Sequence, residues 1–510
     1  MKIPILSAVL SKNTIQKIIS TGTAQWAVKI SGTGDDVPQF VTTDSSGNVY
    51  IVGYYNSPSL TFYNSDGNST ISNLTTNSGS NDVFLVKYNS NGTAQWASRI
   101  AGTGNDQAYC VEKDSSGNVY IIGTYGSTLT FYNADGNSSG LTLSIVGVAT
   151  NDIFIAKYNS SGSVQWATRI GGTQNDAGKG ISIDSSGYVY VTGTFSSATA
   201  NIYNAPGNGS TALTLTNSNS GANDVFLVKY DSSGVAQWAT KIGGTVNDFV
   251  NCVTTDSSGN VYVTGYFQSA TANIYNAPGN GSPAFSLTNI GGSDLFMVKY
   301  DSSGTSQWAT KIGGTGTEIG YSVATHSTGN VYLTGTNSSI TANIYNANEQ
   351  DSGLKISGSG SFIVKYDSSG SAQWVTKIGS GNGDVAQSIK TDWSGNVYVT
   401  GYFSSASMSI YSAPGNTSSG LTALTNSGSN DIFMIKYNSS GAAQWATRIG
   451  GTGDDRSYCV SSDSIGNIYL TGTYKSATTN IYNVPGNGSA ALSLTNSDIT
   501  TNDGFIVKFS

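Results

Sequence analysis

Acids recur at fixed spacing along the 510 residues. One set is Asp36, Asp106, Asp176, Asp248, Glu318, Asp384 and Asp455, which follow Gly-Gly-Thr-type links such as Gly243 to Asp248. A second set is Asp82, Asp152, Asp224, Asp294, Asp431 and Asp503. Clustered carboxylates and backbone carbonyls are what hard ions such as calcium take, so the first set holds the candidate calcium ligands. Recurrence in every unit argues for a scaffold task, in which each acid accepts hydrogen bonds from loop amides. No cofactor is expected, with calcium kept as an open possibility. The Asp-Ser-Ser-Gly-Asn turns at Asp44, Asp114, Asp184, Asp256, Asp392 and Asp463 lack the further oxygen ligands of a calcium loop and are read as capped tight turns.

Aromatics recur as well. Tyr55, Tyr125, Phe195, Phe267, Phe403 and Tyr474 share one repeated position, with Asn337 in the fifth unit. They are candidate ligand-binding residues, because aromatic faces suit sugar rings; the plainer reading packs them beneath neighbouring loops. Catalysis lacks parts. His326 is the single His, it replaces a turn Asp and it has no repeated partner, so a Ser/His/Asp or Cys/His arrangement is not expected. A two-carboxylate hydrolase would need acids outside the repeat, and those present, such as Glu112 and Glu349, fall in no motif. The chain is read as a non-enzyme.

The elements that carry these residues repeat. Gln-Trp returns at Trp26, Trp96, Trp166, Trp238, Trp308, Trp374 and Trp445, with gaps of 70, 70, 72, 70, 66 and 71. A fixed long period means one supersecondary unit repeated. In the fourth unit residues 249–256, 261–267, 294–300 and 307–312 read as strands, bounded by Gly, Asn, Asp and Ser. Seven units of four antiparallel strands describe an all-β, seven-bladed β-propeller. A connection between the second and third strands carries a further hairpin, whose Pro-Gly pairs, such as Pro278-Gly279, read as type II turns. The chain enters on a fourth-type strand and stops on a third-type strand. Closure is therefore expected through pairing of the N-terminal strand with the C-terminal blade. Residues 1–23 form an N-terminal extension, and 24–510 one propeller domain of seven repeats of about 70 residues.

The run Asp256 to Gly265 (DSSGNVYVTG), the strand Phe226-x-x-Lys229-Tyr230 and the strand Gln237-Trp238-Ala239 resemble the repeat of the SBBP family of seven-bladed β-propellers, found in bacterial, archaeal and some large-virus proteins. The resemblance covers residues 24–510. It implies the fold and a tendency towards surface or exported proteins, and it carries over no catalytic residue. This chain departs from the pattern in the long connection with its hairpin, and in the fifth unit, where His326 and Ser361 replace acids.

Charge and composition narrow the function. The net charge is −7, and only 10% of residues are charged. Of the 23 Lys and Arg, seven share the position of Lys229 and seven that of Lys241, so no basic patch for nucleic acid is expected. Cys110, Cys252 and Cys459 share one repeated place, read as small buried residues in repeats too far apart for a disulfide. No apolar run approaches a membrane span, and the first residues make an unconvincing signal peptide. The expected function is a rigid binding or structural module at a cell or virus-particle surface. It would attach a protein partner through the face carrying the hairpins and links, which is expected to be acidic. A carbohydrate-binding propeller is the alternative, with a surface glycan as partner. The sequence leaves oligomeric state open.

Overall fold

The computed structural model describes residues 20–71, 73–75, 80–147, 150–381, 383–496 and 498–510. The extension up to residue 19 lies outside the described residues, as do parts of two connections, at 76–79 and 148–149.

The chain is an all-β, seven-bladed β-propeller. Its third blade shows the rule. Asp176–Ile183, Val189–Phe195, Asp224–Tyr230 and Ala236–Gly243 follow one another across the sheet, each antiparallel to the last. These are strands one to four of the blade. The seven strands of the first type touch one another in a closed circle, so they wall a central channel. Each carries a bulge, for example between Val250 and Cys252. Opposite that bulge sits Gly265, where a Cβ would collide with the Phe249 carbonyl oxygen. The glycine of the Val-Thr-Gly motif therefore makes room for the bulge, and the bulged residue enters the channel.

The hairpin inserted in each long connection leaves its own blade. Thr271–Tyr275 and Pro283–Thr288 come from the fourth repeat, yet Thr271–Tyr275 pairs with strand four of the third blade, Ile242 opposite Ile274. Six of the seven blades thus become six-stranded sheets, with two strands lent by the following repeat. Blade five is the exception. Its fourth strand ends at Ile378, before Gly379 turns the chain at φ +80°, and the hairpin of repeat six meets it at a single bridge, Ile378 to Ile410. The hairpins run along the rim rather than standing on the link face. Their tips dock on the opposite side, where the Ala277 amide donates to Gly304 O. The Xaa-Pro bonds at these tips, such as Ala277-Pro278, are cis. The Gly279 amide donates to Asn276 O, so Pro278 is the third residue of its turn, not the second residue of a type II turn.

At the ends, Ala24–Ser31 is strand four of the seventh blade and pairs with Asp503–Phe509 over Ala24 to Ile30. The Ser510 amide donates to Thr23 O.

Seven latches join the blades. Trp238 Nε1 and Lys229 Nζ of blade three both donate to Ser302 O in the turn between strands three and four of blade four, at 3.1 and 2.8 Å. The other Trp-Lys pairs converge in the same way on Ser160, Ser232, Ser368, Ser439, Ser20 and Ser90. Behind each latch a tyrosine backs the lysine. Lys229 lies over the Tyr190 ring, whose hydroxyl donates to the turn acid Asp184 at 3.0 Å. In front, Gly304, at φ +84°, lies against the Trp238 indole with no space for a side chain. Five of the seven latch Trp are buried, and Trp96 and Trp238 are half-buried.

Two outcomes follow for stability. Trp308→Ala removes a 5% exposed core ring and one latch, and denaturant unfolding should read a loss of about 3–5 kcal/mol. Deleting residues 1–30 exposes the edge of Asp503–Phe509 and removes Trp26 and the Ser20 acceptor. Calorimetry should show a clearly lower melting temperature; an unchanged one contradicts closure through that strand.

Candidate functional site

The links set the acids in pairs between blades. Asp248 opens strand one of blade four, and its amide donates to Asn223 O, next to Asp224 of blade three. The same main-chain bond places Asp36 beside Asp503, Asp106 beside Asp82, Asp176 beside Asp152, Glu318 beside Asp294 and Asp455 beside Asp431. At the sixth place Ser361 replaces one acid and donates to Asp384 O. All of these carboxyls are 0–1% exposed. The face expected to be acidic is not made by them, because they are buried and loop hydrogen bonds hold them inside.

The candidate calcium ligands are therefore distributed singly around the ring. Asp36, Asp176, Asp248, Glu318, Asp384 and Asp455 accept from the hydroxyls of Ser57, Ser197, Ser269, Ser339, Ser405 and Ser476, and Asp106 accepts from the Gly126 amide. Among the described residues no three metal-ligating side chains come together. The turn acids are also occupied, with Asp44 Oδ1 accepting from the Ser46 and Asn48 amides at 2.9 Å.

Burial pushes Asp36 and Asp106 up to about 8, Asp152 and Asp294 to about 7, and Asp176, Asp248 and Asp431 to about 6, and a neighbouring acid adds to it at all of these except Asp176. The ordinary value is 3.8. These groups hold protons in the folded state that the unfolded chain releases near pH 4. Their contribution to stability is fully present below about pH 4, falls as pH rises, and is lost once each group has passed its folded value between 6 and 8. Melting should be higher at pH 5 than at pH 8, and Asp36→Asn should flatten that dependence. A melting temperature that rises over this interval contradicts the assignment.

The candidate sugar-stacking rings do not face solvent. Tyr55, Tyr125, Phe195, Phe267, Phe403 and Tyr474 are 0% exposed, and Tyr125 donates to Ser144 O beneath its hairpin. A stacking ring needs an open face, and these have none.

The channel presents other residues. At its link side lies a cavity of 610 Å³ that Tyr109, Lys179, Phe249 and Tyr266 help to line. Two repeat positions supply its tyrosines. The bulge brings Tyr109, Tyr321 and Tyr458, and the residue before the end of strand two brings Tyr54, Tyr266 and Tyr402. All six are half-buried. Round the ring they form one arc, Tyr109, Tyr54, Tyr458, Tyr402, Tyr321 and Tyr266, one from each of six consecutive blades. Phe249 stacks on Tyr266 at 5.0 Å. Lys179 closes the arc at blade three, 4.2 Å from the Tyr109 ring, and Arg456 lies 4.8 Å from Tyr402 while paired with Asp454 at 3.0 Å. Burial raises all of these tyrosine hydroxyls, so they stay protonated donors; Tyr109 reaches about 12. Recurrence does not mark this arc, because its residues do not recur in every blade. Its signal is variation: where these repeats have Tyr, the others have Thr, Gln, Asn or Lys.

At the waist, Phe40, Cys110, Gly180, Cys252, Ser322, Ser388 and Cys459 stand at one level. The cysteines are free thiols, and burial raises their pKa, that of Cys459 to about 12.

The "Beta-propeller repeat" family model matches residues 165–194 and 237–266. The chain resembles the SBBP repeat proteins. Over 404 residues it is 31% identical to an uncharacterized WD repeat-containing protein of Acanthamoeba polyphaga mimivirus, covering 71% of this chain and 29% of that protein. Over 323 residues it is 25% identical to the regulatory protein FlaEY of Caulobacter vibrioides, covering 60% of this chain and 31% of that one. The chain thus matches under a third of each relative's length. Among solved structures, the Neurospora crassa Pan2 WD40 domain superposes with a TM-score of 0.40 at 8% identity, covering 96% of this chain and 97% of that one. The Dos1 propeller superposes with a TM-score of 0.41 at 7% identity, covering 96% and 95%. No helix among the described residues is long and apolar enough to cross a membrane.

Proposed function

We propose that this SBBP-like propeller is a non-catalytic, rigid module that holds a protein partner at the link-side mouth of its channel. The observation that carries the reading is the arc of six half-buried tyrosines with Lys179 and Arg456. Tyrosine and arginine concentrate binding energy at protein interfaces, because each offers a large rigid surface with a polar tip. The acids and rings that recur in every blade are consumed by the scaffold, which leaves the arc for recognition. The WD repeat description of one relative supports an interaction module. We place it at the surface of a cell or virus particle; a weakly charged, Ser- and Thr-rich exterior and a viral relative support that placement.

A photo-reactive phenylalanine analogue at Tyr266 or Tyr402 should cross-link one protein in an extract of the source cells or particles. The same probe at exposed Ser115, on the turn face, should not. With that protein purified, Tyr321→Ala should weaken binding by about 2 kcal/mol, or roughly thirtyfold. Cross-links from Ser115 alone, or an unaltered affinity, overturn the assignment.

A further inference from the structure

The turn-side end of the channel collects residues that the scaffold does not explain. A cavity of 570 Å³ opens there, floored by Phe40 and walled largely by hydroxyls, among them Thr42, Ser182, Thr254 and Thr391. Glu112 enters it from blade two, His326 from blade five, and Lys390 and Trp393 from blade six. Each breaks the repeat. Glu112 and Lys390 stand where the other blades have Thr42, Ser182, Thr254, Ala324 and Ser461. His326 replaces the turn acid. Trp393 stands where the other six turns all have Ser, as at Ser45 and Ser257. It lies outside the latch series and is 41% exposed.

None of the four serves a latch, a rim hairpin or an acid pair. Glu349, another acid outside the motifs, does: it pairs with Lys311 at 2.6 Å on the rim. Glu112 takes hydrogen bonds from Thr42 Oγ1 and the Lys113 amide, both at 2.9 Å and both on Oε1, which leaves Oε2 for a ligand. His326 Nδ1 is 2.8 Å from Thr328 Oγ1, so the imidazole belongs to its turn and shapes the rim of the cavity.

An indole plate, one carboxylate, one ammonium and a wall of hydroxyls suit a ring with an apolar C–H face and an equatorial girdle of hydroxyls. The face stacks on the indole. The hydroxyls donate to the carboxylate and accept from the ammonium, in charge-assisted hydrogen bonds. A multiply charged anion would meet Glu112 as well as Lys390, and an apolar ligand would strand the hydroxyls without partners. The volume lies within the range of small-ligand sites. We propose that the turn-side cavity is a saccharide-binding site in which one sugar ring stacks on Trp393 while Glu112 and Lys390 hold its hydroxyls. The ligand class and the end of the channel both differ from those of the protein contact proposed above.

The scaffold supplies its own control substitutions. Trp393→Ser and Glu112→Thr install residues that the other repeats already carry at those places, so both variants should fold and melt as the parent does. Saturation-transfer NMR on the full chain would be run with glucose, galactose, mannose, N-acetylglucosamine and N-acetylneuraminic acid, each at millimolar concentration. At least one sugar should bind. Its affinity should fall at least tenfold in Trp393→Ser and in Glu112→Thr, and stay within twofold in Tyr266→Ala. Failure of all five sugars overturns the proposal. So does binding that survives both turn-side substitutions, or that is lost only in Tyr266→Ala, which would move the sugar to the other mouth.

Discussion

The ring depends on seven backbone carbonyls. At each blade boundary one serine oxygen, such as Ser302 O, accepts both an indole N–H and a lysine ammonium from the preceding blade. A hydrogen bond from a charged donor contributes about 1.5–3 kcal/mol when made. Its removal at a buried site leaves a desolvated charge, which costs more. The lysine can be held there because the ring of a tyrosine lies under it, and in six of the blades the turn acid fixes that tyrosine, the fifth having His326 in its place. Asp184, Tyr190, Lys229 and Trp238 therefore form a single device that spans a blade and ends in the next one. A propeller has few covalent reasons to stay closed, and this contact gives every boundary the same one.

The second tie is on the rim. Strand four would be the outer edge of each blade, with unpaired N–H and C=O groups exposed. The following repeat covers it with a hairpin, and strand-four cations then stitch the hairpins together. Lys241 lies 4.9 Å from the Tyr275 ring of the lent hairpin and donates to Thr216 O of the hairpin before it. Each blade is completed by its neighbour, so the unit of stability is the ring rather than the repeat. The buried acid pairs work against this. They cost desolvation and persist because serine hydroxyls and link amides bond to them, and because protonation lifts the charge.

With the recurring residues committed to these ties, the blades differ in the residues that vary. The channel is where they gather, since strand one faces it and contributes nothing there to a neighbouring sheet. The bulge opposite Gly265 and its counterparts gives every blade one side chain in the bore, and the chain fills that place with Tyr, Lys, Asn or Gln as each blade requires. A sevenfold scaffold thereby carries a surface without sevenfold symmetry, aromatic at one mouth and hydroxyl-rich around Trp393 at the other.

Period and strand type were legible in the sequence. Gln-Trp spacing, the alternation of Asp294–Tyr300 and the capped turn at Asp256 are local, and local hydrogen bonding and side-chain period decide them. The scaffold role of the recurring acids could be argued from recurrence alone. What the sequence could not place were the partners of each edge and face. Nothing in Thr271–Tyr275 says that it pairs with the preceding blade, because edge pairing depends on which strand is left open nearby. Tyr55 and Tyr54 are adjacent and chemically alike, yet one is sealed under a hairpin and the other faces the channel; a period of two separates them, and only the ring says which side is inside. Glu112 lies far along the chain from Lys390 and Trp393, and all three depart from the repeat. Their meeting in one cavity comes from the closing of seven blades around a common axis, which is a property of the tertiary structure.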